Sequence, residues 1–570
     1  MARGSAPSAI DSTASALLST YRPQQAPIGV SRRFPSPSLS RYLPFAPHGL
    51  RVTMAMPTVL RLKAPSFQTV SAVGFIWIFI FVGFTYWDVG PPRKDASNTF
   101  DRVKGQTDPE LQSLQPIALG ARYFLDYPLA PPYRDIFGQL GQRARILRSW
   151  IDELEADIHD SKSKNEKDRE TVAELVERVT VSLFPYLKSP GGEKSPQYPP
   201  PLADIRTRIG LKNNGTTTTS SKSPSAGIVI PTGDKTLRFA CHLIASLTRV
   251  HKTQLPIQVV YAGDKDLSAK GRRALQEAGD GRKIELLDVL TVFDDSTLKL
   301  AEGGWAIKPF AALASQYDQV ILLDADTVFL QDPTQLLEQD RYKETGVMLF
   351  HDRLLWKNGF AERQDWWHEQ LKHPSKETEK SLVWTERYSE EGDSGLVLVD
   401  KTRLDVLIGL LHIGWQNSND VREEWTYKIT YGDKETWWIG FEATESTYAF
   451  SPHYGGIVGW LKDEEGEKRE EKKELSVCSF VIAHVDQTDT LLWYNGGLLK
   501  NKIVNQTAFE VPTHWMIDQE WHKGSSKREM SCMTGTVAKN LTQDEKSILS
   551  KAIDVAKEVD EKFGLIDWSA

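Results

Sequence analysis

The chain has 570 residues, a formal net charge of −7, 25% charged positions and 40% hydrophobic positions. This composition is ordinary for globular proteins and excludes a wholly disordered chain, a collagen and a repeat array. The three cysteines, Cys241, Cys478 and Cys532, are too few for a disulfide scaffold or a four-thiolate zinc site. The acidic body also lacks the basic footprint that nucleic acid requires, so nucleic acid is excluded as the main partner.

An uncharged run, Ala64–Trp87, follows a basic N-terminal stretch. As a helix this run would be about 36 Å long, which is enough to cross a hydrocarbon core of ~30 Å. Residues 1–63 hold eight Lys/Arg and one acid, so they are predicted to be a disordered cytosolic tail, with residues 88–570 in the lumen. The sequence therefore predicts a single-pass type II membrane protein. Its three N-x-[ST] sequons fall on the lumenal side: Asn214, Asn505 and Asn540.

The lumenal part divides by composition. Residues 88–225 are predicted to be a stem, irregular to about residue 120, helical over 134–188 and a Pro/Gly/Ser/Thr-rich linker thereafter. Residues 226–510 form the main domain, and residues 511–570 form a partly helical extension. Strands separated by amphipathic helices predict an α/β fold with a mainly parallel sheet. The predicted strands are 227–231, 256–263, 284–289 and 319–323, and the predicted helices are 234–250, 267–278 and 305–315.

Two carboxylates end the fourth predicted strand, where Asp324 and Asp326 follow the apolar run QVILL. Burying like charges so close together is costly unless a cation compensates them. Hard oxygen ligands suit Mn²⁺ or Mg²⁺, and such an ion can bridge the oxygens of a diphosphate. His484 lies at the end of a later apolar strand. The spacing fits two interpretations equally well: a third metal ligand, or an ordinary hydrogen-bonded histidine.

Residues 303–333, GGWAIKPFAALASQYDQVILLDADTVFLQDP, resemble the fungal Golgi α-1,3-mannosyltransferases, which are type II proteins with a GT-A catalytic fold. Further stretches fit the same pattern in the same order: 241–247, 255–267, 345–355, 393–401, 431–442 and 491–502. The resemblance covers about half the chain, roughly residues 227–502. It implies a GT-A domain over residues 226–510.

The resemblance also implies an activity: transfer of mannose from GDP-mannose to a mannose residue of a glycan, with retention and with a divalent metal such as Mn²⁺. A metal held by Asp324, Asp326 and His484 would stabilise the departing diphosphate. Lys308, in the motif WAIKPF, is expected either to add positive charge near the phosphates or to be an exposed helix-start lysine.

Other site residues are expected from the same resemblance. Asp393 is the first candidate for binding donor or acceptor hydroxyls, and Ser394 and Gly395 follow it in the segment expected to line the sugar pocket. Asp433 and Glu435 are candidates for stabilising the oxocarbenium-like transition state or accepting the acceptor's proton. Trp493, after the histidine, is the aromatic ring expected to stack on a sugar.

Several alternatives stay open at this point. The metal motif binds a diphosphate, so it does not separate a mannosyl donor from a UDP-sugar, or an α-1,3 from an α-1,2 linkage. A catalytically silent lumenal lectin or complex subunit is the hypothesis from another class. The expected partners are a mannose-ended glycan, a nucleotide sugar, the Golgi membrane and other mannosyltransferases. In the oxidising lumen, Cys478 and Cys532 could form a disulfide that leaves Cys241 free.

Overall fold

Helices precede the main sheet. The computed structural model describes residues 111–159, 166–188, 198–211, 225–462 and 474–566. The predicted membrane span Ala64–Trp87 and the sequon at Asn214 lie outside this set, and no helix within it is both long and apolar enough to cross a membrane. The first four helices are α1 (Leu111–Asp126), α2 (Phe137–His159), α3 (Glu166–Leu183) and α4 (Pro200–Arg208).

Helix α1 corrects the expectation of an irregular stem up to about residue 120. Leu114, Ile117, Ala121 and Phe124 recur at three- and four-residue spacing and are buried in one hydrophobic core with α2 and α3. The polar residues between them hide this apolar stripe from a composition-based prediction. The helices predicted over 134–188 are confirmed.

The main sheet confirms the mainly parallel α/β prediction. The strands up to residue 450 are β1 (Ala226–Pro231), β2 (Ile257–Tyr261), β3 (Ile284–Asp288), β4 (Gln319–Leu323), β5 (Thr327–Phe329), β6 (Val347–His351), β7 (Gly392–Asp400) and β8 (Ala449–Phe450). Among the described residues the largest sheet has seven strands in the order β3-β2-β1-β4-β7-β6-β8. All its neighbours pair in parallel except β7, which is antiparallel to both β4 and β6.

The reversed strand β7 determines where the site forms. Because β7 runs against its neighbours, its first residues lie at the same edge as the carboxyl ends of β4 and β6. The register places Leu323 opposite Leu396 and Phe350 opposite Asp393. Residues that follow β4 and β6 therefore lie beside residues that begin β7.

Helices cover the sheet, whose central strands β1, β4 and β7 are mostly apolar and mostly buried. The predicted helices are confirmed, although 234–250 ends in a π-helical turn at Ser246–Val250. The longer helices of this region are α5 (Leu237–Ala245), α6 (Ala269–Ala278), α7 (Ile307–Ala314), α8 (Asp340–Thr345), α9 (Ala361–Gln370), α10 (Leu382–Glu386), α11 (Leu404–Gln416) and α12 (Thr436–Ala443).

Beyond α12 the chain is mostly β-structure. The strands are β9 (Ile457–Leu461), β10 (Leu475–Ser479), β11 (Ile482–Val485), β12 (Leu491–Asn495), β13 (Leu499–Asn501), β14 (Asn505–Phe509), β15 (His514–Met516), β16 (Glu520–His522), β17 (Ser531–Gly535) and β18 (Lys539–Asn540). A sheet with the order β16-β17-β10-β9-β15-β18 crosses the boundary predicted at residue 510. Strands β11 and β12 join β5, and helix α13 (Gln543–Phe563) ends the described chain.

A disulfide fastens the C-terminal strands to the rest of the domain. Cys478 on β10 and Cys532 on β17 are direct cross-strand partners and are bonded to each other. Cys241 is free and buried among the apolar residues of α5, and burial raises the pKa of its thiol well above the ordinary value. A packed, unreactive thiol follows from that environment.

We expect the double substitution Cys478→Ser, Cys532→Ser to lower the free energy of unfolding by ~2–4 kcal/mol, because the bond closes a long loop in the unfolded chain. The measurement is chemical denaturation of the full chain with and without reductant. Reductant should lower the stability of the wild type and leave the double variant unchanged. Equal stability of the two proteins without reductant would contradict the prediction.

Candidate active site

Four carboxylates of the described residues gather at one edge of the seven-stranded sheet. Asp324 directly follows β4, Asp352 directly follows β6, and Asp393 is the second residue of β7. Asp433 lies just before α12. The antiparallel placement of β7 brings these positions together, although they are distant in the sequence.

Lys308 joins two of these carboxylates, Asp324 and Asp433, to Ser394. Its Nζ lies 2.9 Å from Asp324 Oδ1 and 3.1 Å from Asp433 Oδ2, and donates to the carbonyl and hydroxyl oxygens of Ser394 at 2.8 and 2.9 Å. Its side chain is only 4% exposed. Burial alone would lower the pKa of Lys308, but Asp324 and Asp433 raise it above the ordinary value, so the ammonium stays charged. Of the two expectations for Lys308, the exposed helix-start lysine is wrong.

Asp324 and Asp326 are the more open carboxylates, with side chains 27% and 19% exposed. Burial raises the pKa of Asp324 to about 6, despite the opposing charge of Lys308. Asp326 forms an ion pair with Lys502, whose side chain is 35% exposed. Each aspartate of the motif thus has its own lysine, one enclosed and one near the surface.

Asp393 is enclosed by hydrogen bonds. Its carboxylate accepts from His484 Nε2 at 3.1 Å, from Asn495 Nδ2 at 3.0 Å and from the backbone N–H of Gly395 at 3.0 Å. Burial alone would raise its pKa, but these donors and the charge of Lys434 hold the pKa of Asp393 well below the usual range. Asp393 is therefore an ionised group that positions its neighbours.

The segment 433–435 forms a second set of buried contacts. Lys434 forms an ion pair with Asp352. Burial alone would lower the pKa of Lys434 and raise the pKa of Asp352. The opposite charge of the partner outweighs burial, so the pKa of Lys434 is raised and the pKa of Asp352 is lowered. Glu435 accepts the backbone N–H of Glu391 at 3.0 Å and Trp438 Nε1 at 2.7 Å. Burial raises the pKa of Glu435 to about 8.

Glycine is required at position 395. A Cβ built there would lie 2.3 Å from Asn495 Nδ2. The Gly395 carbonyl accepts the backbone N–H of Asp324 at 2.8 Å and Thr327 Oγ1 at 3.1 Å. Gly395 thus supports the turn that carries both aspartates.

The predicted residues fall into three groups. Lys308, Asp324, Ser394 and Asp433 form one contact cluster, with Asp326 two residues from Asp324. Asp393 and His484 pair with each other, and Glu435 contacts the backbone at the start of β7. Trp493, the ring expected to meet a sugar, has no exposed surface and stacks on His484 at 4.3 Å between ring centroids.

The histidine predicted as a third metal ligand, His484, is hydrogen-bonded to Asp393 in the structure. No group of three His, Cys, Asp or Glu side chains within the described residues is arranged to hold an ion. His484 is bonded to Asp393 and packed against Trp493 and Phe350. The two partly open carboxylates of Asp324 and Asp326 are hard oxygen donors and fit a divalent cation whose other ligands come from phosphate and water.

Sequence reasoning missed three members of the site. Asp352 directly follows the apolar strand VMLFH, the same signal that identified Asp324. Lys502 lies in LLKNK and Asn495 lies in LLWYN. Both stretches belong to the family resemblance, but the resemblance predicts no role for either residue. Their partners, Lys434, Asp326 and Asp393, are distant in sequence, and no local signal identifies such pairs.

Residues 225–486 match the family model described as "Mannosyltransferase putative". Alpha-1,3-mannosyltransferase MNT3 of Saccharomyces cerevisiae is 26% identical over 362 residues, which cover 57% of this chain and 56% of that protein. Alpha-1,3-mannosyltransferase MNN1 of the same yeast is 27% identical over 329 residues, which cover 49% and 41%. The chain thus spans about half the length of the curated relatives it matches.

The fold also has a similarity among solved structures. The core-mannan synthase A of Aspergillus fumigatus, in a Mn/GDP form, is 11% identical with a TM-score of 0.26 and is covered over 74% of its chain and 41% of this one. A likeness at that TM-score carries no argument about function.

We expect Lys308→Met to lower the free energy of unfolding by ~3–5 kcal/mol, because it leaves Asp324 and Asp433 close together without their cation. The measurement is urea denaturation at neutral pH. Lys343→Met is the matched control, since it removes an exposed lysine paired with Glu338 and should change stability by less than ~1 kcal/mol. Equal effects of the two substitutions would contradict the central role of Lys308.

The raised pKa of Glu435 predicts a pH dependence of stability. Its pKa is raised from 4.5 to about 8 in the folded protein, so its stabilising proton is present in full below the unfolded pKa and is lost as the pH rises through 8. We expect Glu435→Gln, which does not titrate, to lose less stability than the wild type as the pH rises from roughly 5 to 8. Denaturation at several pH values measures the slope, and the exposed Glu510→Gln is the control. Parallel profiles for wild type and Glu435→Gln would contradict the assignment.

Proposed function

We propose that the protein transfers mannose from GDP-mannose to a mannose residue of a glycan, in α-1,3 linkage and with retention. The premise is that residues 225–486 match the mannosyltransferase family model. The observation that carries the proposal is the pair of partly open aspartates, Asp324 and Asp326, each beside a lysine at the edge of the sheet. The names of two relatives, both α-1,3-mannosyltransferases, support the sugar and the linkage.

The diphosphate of the donor is proposed to lie at Asp324 and Asp326. A divalent cation such as Mn²⁺ held by these two carboxylates would neutralise the charge that builds on the departing diphosphate. Lys502, near the surface, is the lysine free to exchange Asp326 for a phosphate oxygen as the donor binds. Lys308 is fixed by four oxygens and keeps the positive potential of the site constant.

The remaining residues hold the sugar side of the site. Asp393 was expected to bind sugar hydroxyls, but its enclosed carboxylate acts instead through Asn495, which is partly exposed, and through His484. Asp433 orients Lys308, and it also accepts Trp437 Nε1 at 2.8 Å. Glu435 secures the start of β7. No covalent nucleophile is assigned, because retaining transfer does not require one.

We also propose that the protein is a single-pass type II protein of the Golgi membrane, anchored by Ala64–Trp87 with its catalytic part in the lumen. The Cys478–Cys532 disulfide supports this compartment, since disulfides persist in oxidising surroundings. The two described sequons, Asn505 and Asn540, are exposed and hence accessible for glycosylation.

The test is a transfer assay of the full-length chain with Mn²⁺, α-linked mannobiose and, separately, GDP-mannose, UDP-glucose and UDP-galactose. We expect a trisaccharide from GDP-mannose alone, with an α-1,3 linkage by NMR. Asp326→Ala should reduce the rate by at least ~100-fold, because a metal ligand contributes several kcal/mol to the transition state. By calorimetry, Mn²⁺ should no longer strengthen GDP binding to this variant.

Asp554→Ala, which removes an exposed aspartate of α13, is the matched control and should retain the wild-type rate. Product from a UDP-sugar would replace the proposed donor, and an α-1,2 product would replace the proposed linkage. Unchanged Mn²⁺-dependent GDP binding by Asp326→Ala would overturn the metal assignment. A wild type that binds no nucleotide would indicate a silent lumenal subunit.

A further inference from the structure

A cavity of about 640 Å³ opens beside the candidate active site. This volume lies within the ~300–1,000 Å³ of small-ligand sites. One wall consists of residues 354–356, which follow β6, together with Tyr388, which precedes β7. The other wall consists of residues 519–523, which include β16. The first wall therefore lies at the sheet edge that carries Asp324 and Asp393.

Three aromatic residues line this cavity: Trp356, Tyr388 and Trp521. Trp521 is fixed, since its Nε1 donates to the Gly455 carbonyl at 2.7 Å. Trp356 is 51% exposed, so about half of it faces solvent, and its ring meets the edge of Phe360 at 6.3 Å between ring centroids. The rim is polar, with the exposed side chains of Glu520 and His522 on the same strand. Flat apolar faces beside polar groups match the C–H faces and hydroxyls of a sugar.

The backbone of Trp356 gives independent support. Its φ of +48° lies in the left-handed region, which a bulky residue adopts rarely and at an energetic cost. A tryptophan that is half exposed and strained contributes little to the core. Such strain is concentrated at binding and catalytic sites, where the side chain's position serves function.

Contacts of Arg353 and Asp352 connect the cavity to the sheet edge of the candidate active site. The Arg353 guanidinium lies 5.6 Å from the Trp521 ring centroid, and Arg353 Nε lies 3.1 Å from Asp352 Oδ1. Asp352 in turn pairs with Lys434, next to Asp433. Side-chain contacts thus link the Trp521 wall of the cavity to the segment that carries Asp433.

The second wall is a feature of the C-terminal extension. Residues 519–523 lie beyond the family match, which ends at residue 486. Strand β16 pairs with β17, where His522 is opposite Cys532, and the Cys478–Cys532 bond fastens β17 to β10. The disulfide thus holds the Trp521 wall in place.

From these observations we infer that the cavity between Trp356 and Trp521 is the acceptor site, and that it binds a neutral mannose oligosaccharide along its length. This inference rests on the proposed function for the identity of the sugar. The half-exposed ring of Trp356 stacks on a sugar face, the largely buried Trp521 forms the opposite wall, and Glu520 and His522 bond hydroxyls at the rim. The charged groups of the donor are held at Asp324, Asp326 and Lys502.

The test compares Trp356→Gly with the wild type, both as full-length chains. Glycine adopts a φ of +48° without strain, so the substitution removes the ring without adding backbone strain. We expect the KM for α-linked mannotriose to rise about tenfold, while the KM for GDP-mannose and the kcat stay within about twofold. Trp521→Phe, which keeps most of the packing, should raise the acceptor KM in the same direction.

The matched control is Tyr127→Ala, which removes an exposed aromatic ring just after α1 and should change neither KM. A second measurement does not depend on transfer: mannotriose is titrated without nucleotide and followed by tryptophan fluorescence and saturation-transfer NMR. Binding to the wild type that is weakened about tenfold in Trp356→Gly supports the acceptor site, even if GDP-mannose proves to be the wrong donor.

Two results would overturn the inference. The first is a Trp356→Gly protein with the wild-type acceptor KM and wild-type mannotriose binding, in an enzyme that does transfer mannose; the proposed function would then stand and the acceptor site would lie elsewhere. The second is a wild type that neither transfers mannose nor binds mannotriose, which would remove the inference and the proposed activity together.

Discussion

The buried ion pairs of Lys308 are the interaction on which the rest of the site depends. An ammonium that is 4% exposed is stable only because two carboxylates and two oxygens of Ser394 replace its water. The same contacts tie α7 to the end of β4, the start of β7 and the segment before α12. The contacts that neutralise the buried charges are therefore the same contacts that hold these segments together. Removing the ammonium of Lys308 would leave Asp324 and Asp433 without their cation.

The charges of the site are graded from the interior to the surface. Lys308 and the Lys434–Asp352 pair are enclosed, and their pKa shifts keep them ionised. Lys502 and Asp326 lie nearer to solvent, where an ion pair is weaker and exchanges more easily. A rigid charged interior with an exchangeable outer pair suits a ligand that carries its own negative charge.

The C-terminal extension completes the domain. Strand β15 pairs with β9, β17 pairs with β10, and α13 packs against α5 through the ion pair of Arg238 with Asp560. Two parts of the chain thus meet in one domain: residues inside the family match, which ends at residue 486, and residues beyond it. The cavity between Trp356 and Trp521 takes one wall from each of these two parts.

Local patterns in the sequence predicted the strands and helices from residue 226 to 323, because apolar residues repeat there with the period of each element. They also predicted Asp324 and Asp326, since charged residues after a buried strand are visible within one short segment. Helix α1 was missed because its apolar stripe is interrupted by polar residues. The sequence thus identified the site residues that are marked within one short segment and missed those that are defined by a distant partner.

The sequence by itself determined that this is an α/β domain in which two aspartates, Asp324 and Asp326, follow a buried strand. Both features depend on neighbours along the chain. The tertiary structure decided the rest. Lys308 meets Ser394 and Asp433 across 86 and 125 residues, and the reversed direction of β7 places Ser394 at the edge where β4 ends. It also decided that His484 binds Asp393 and that Trp493 is enclosed, since the packing of β5, β11 and β12 fixes which face of a strand reaches solvent.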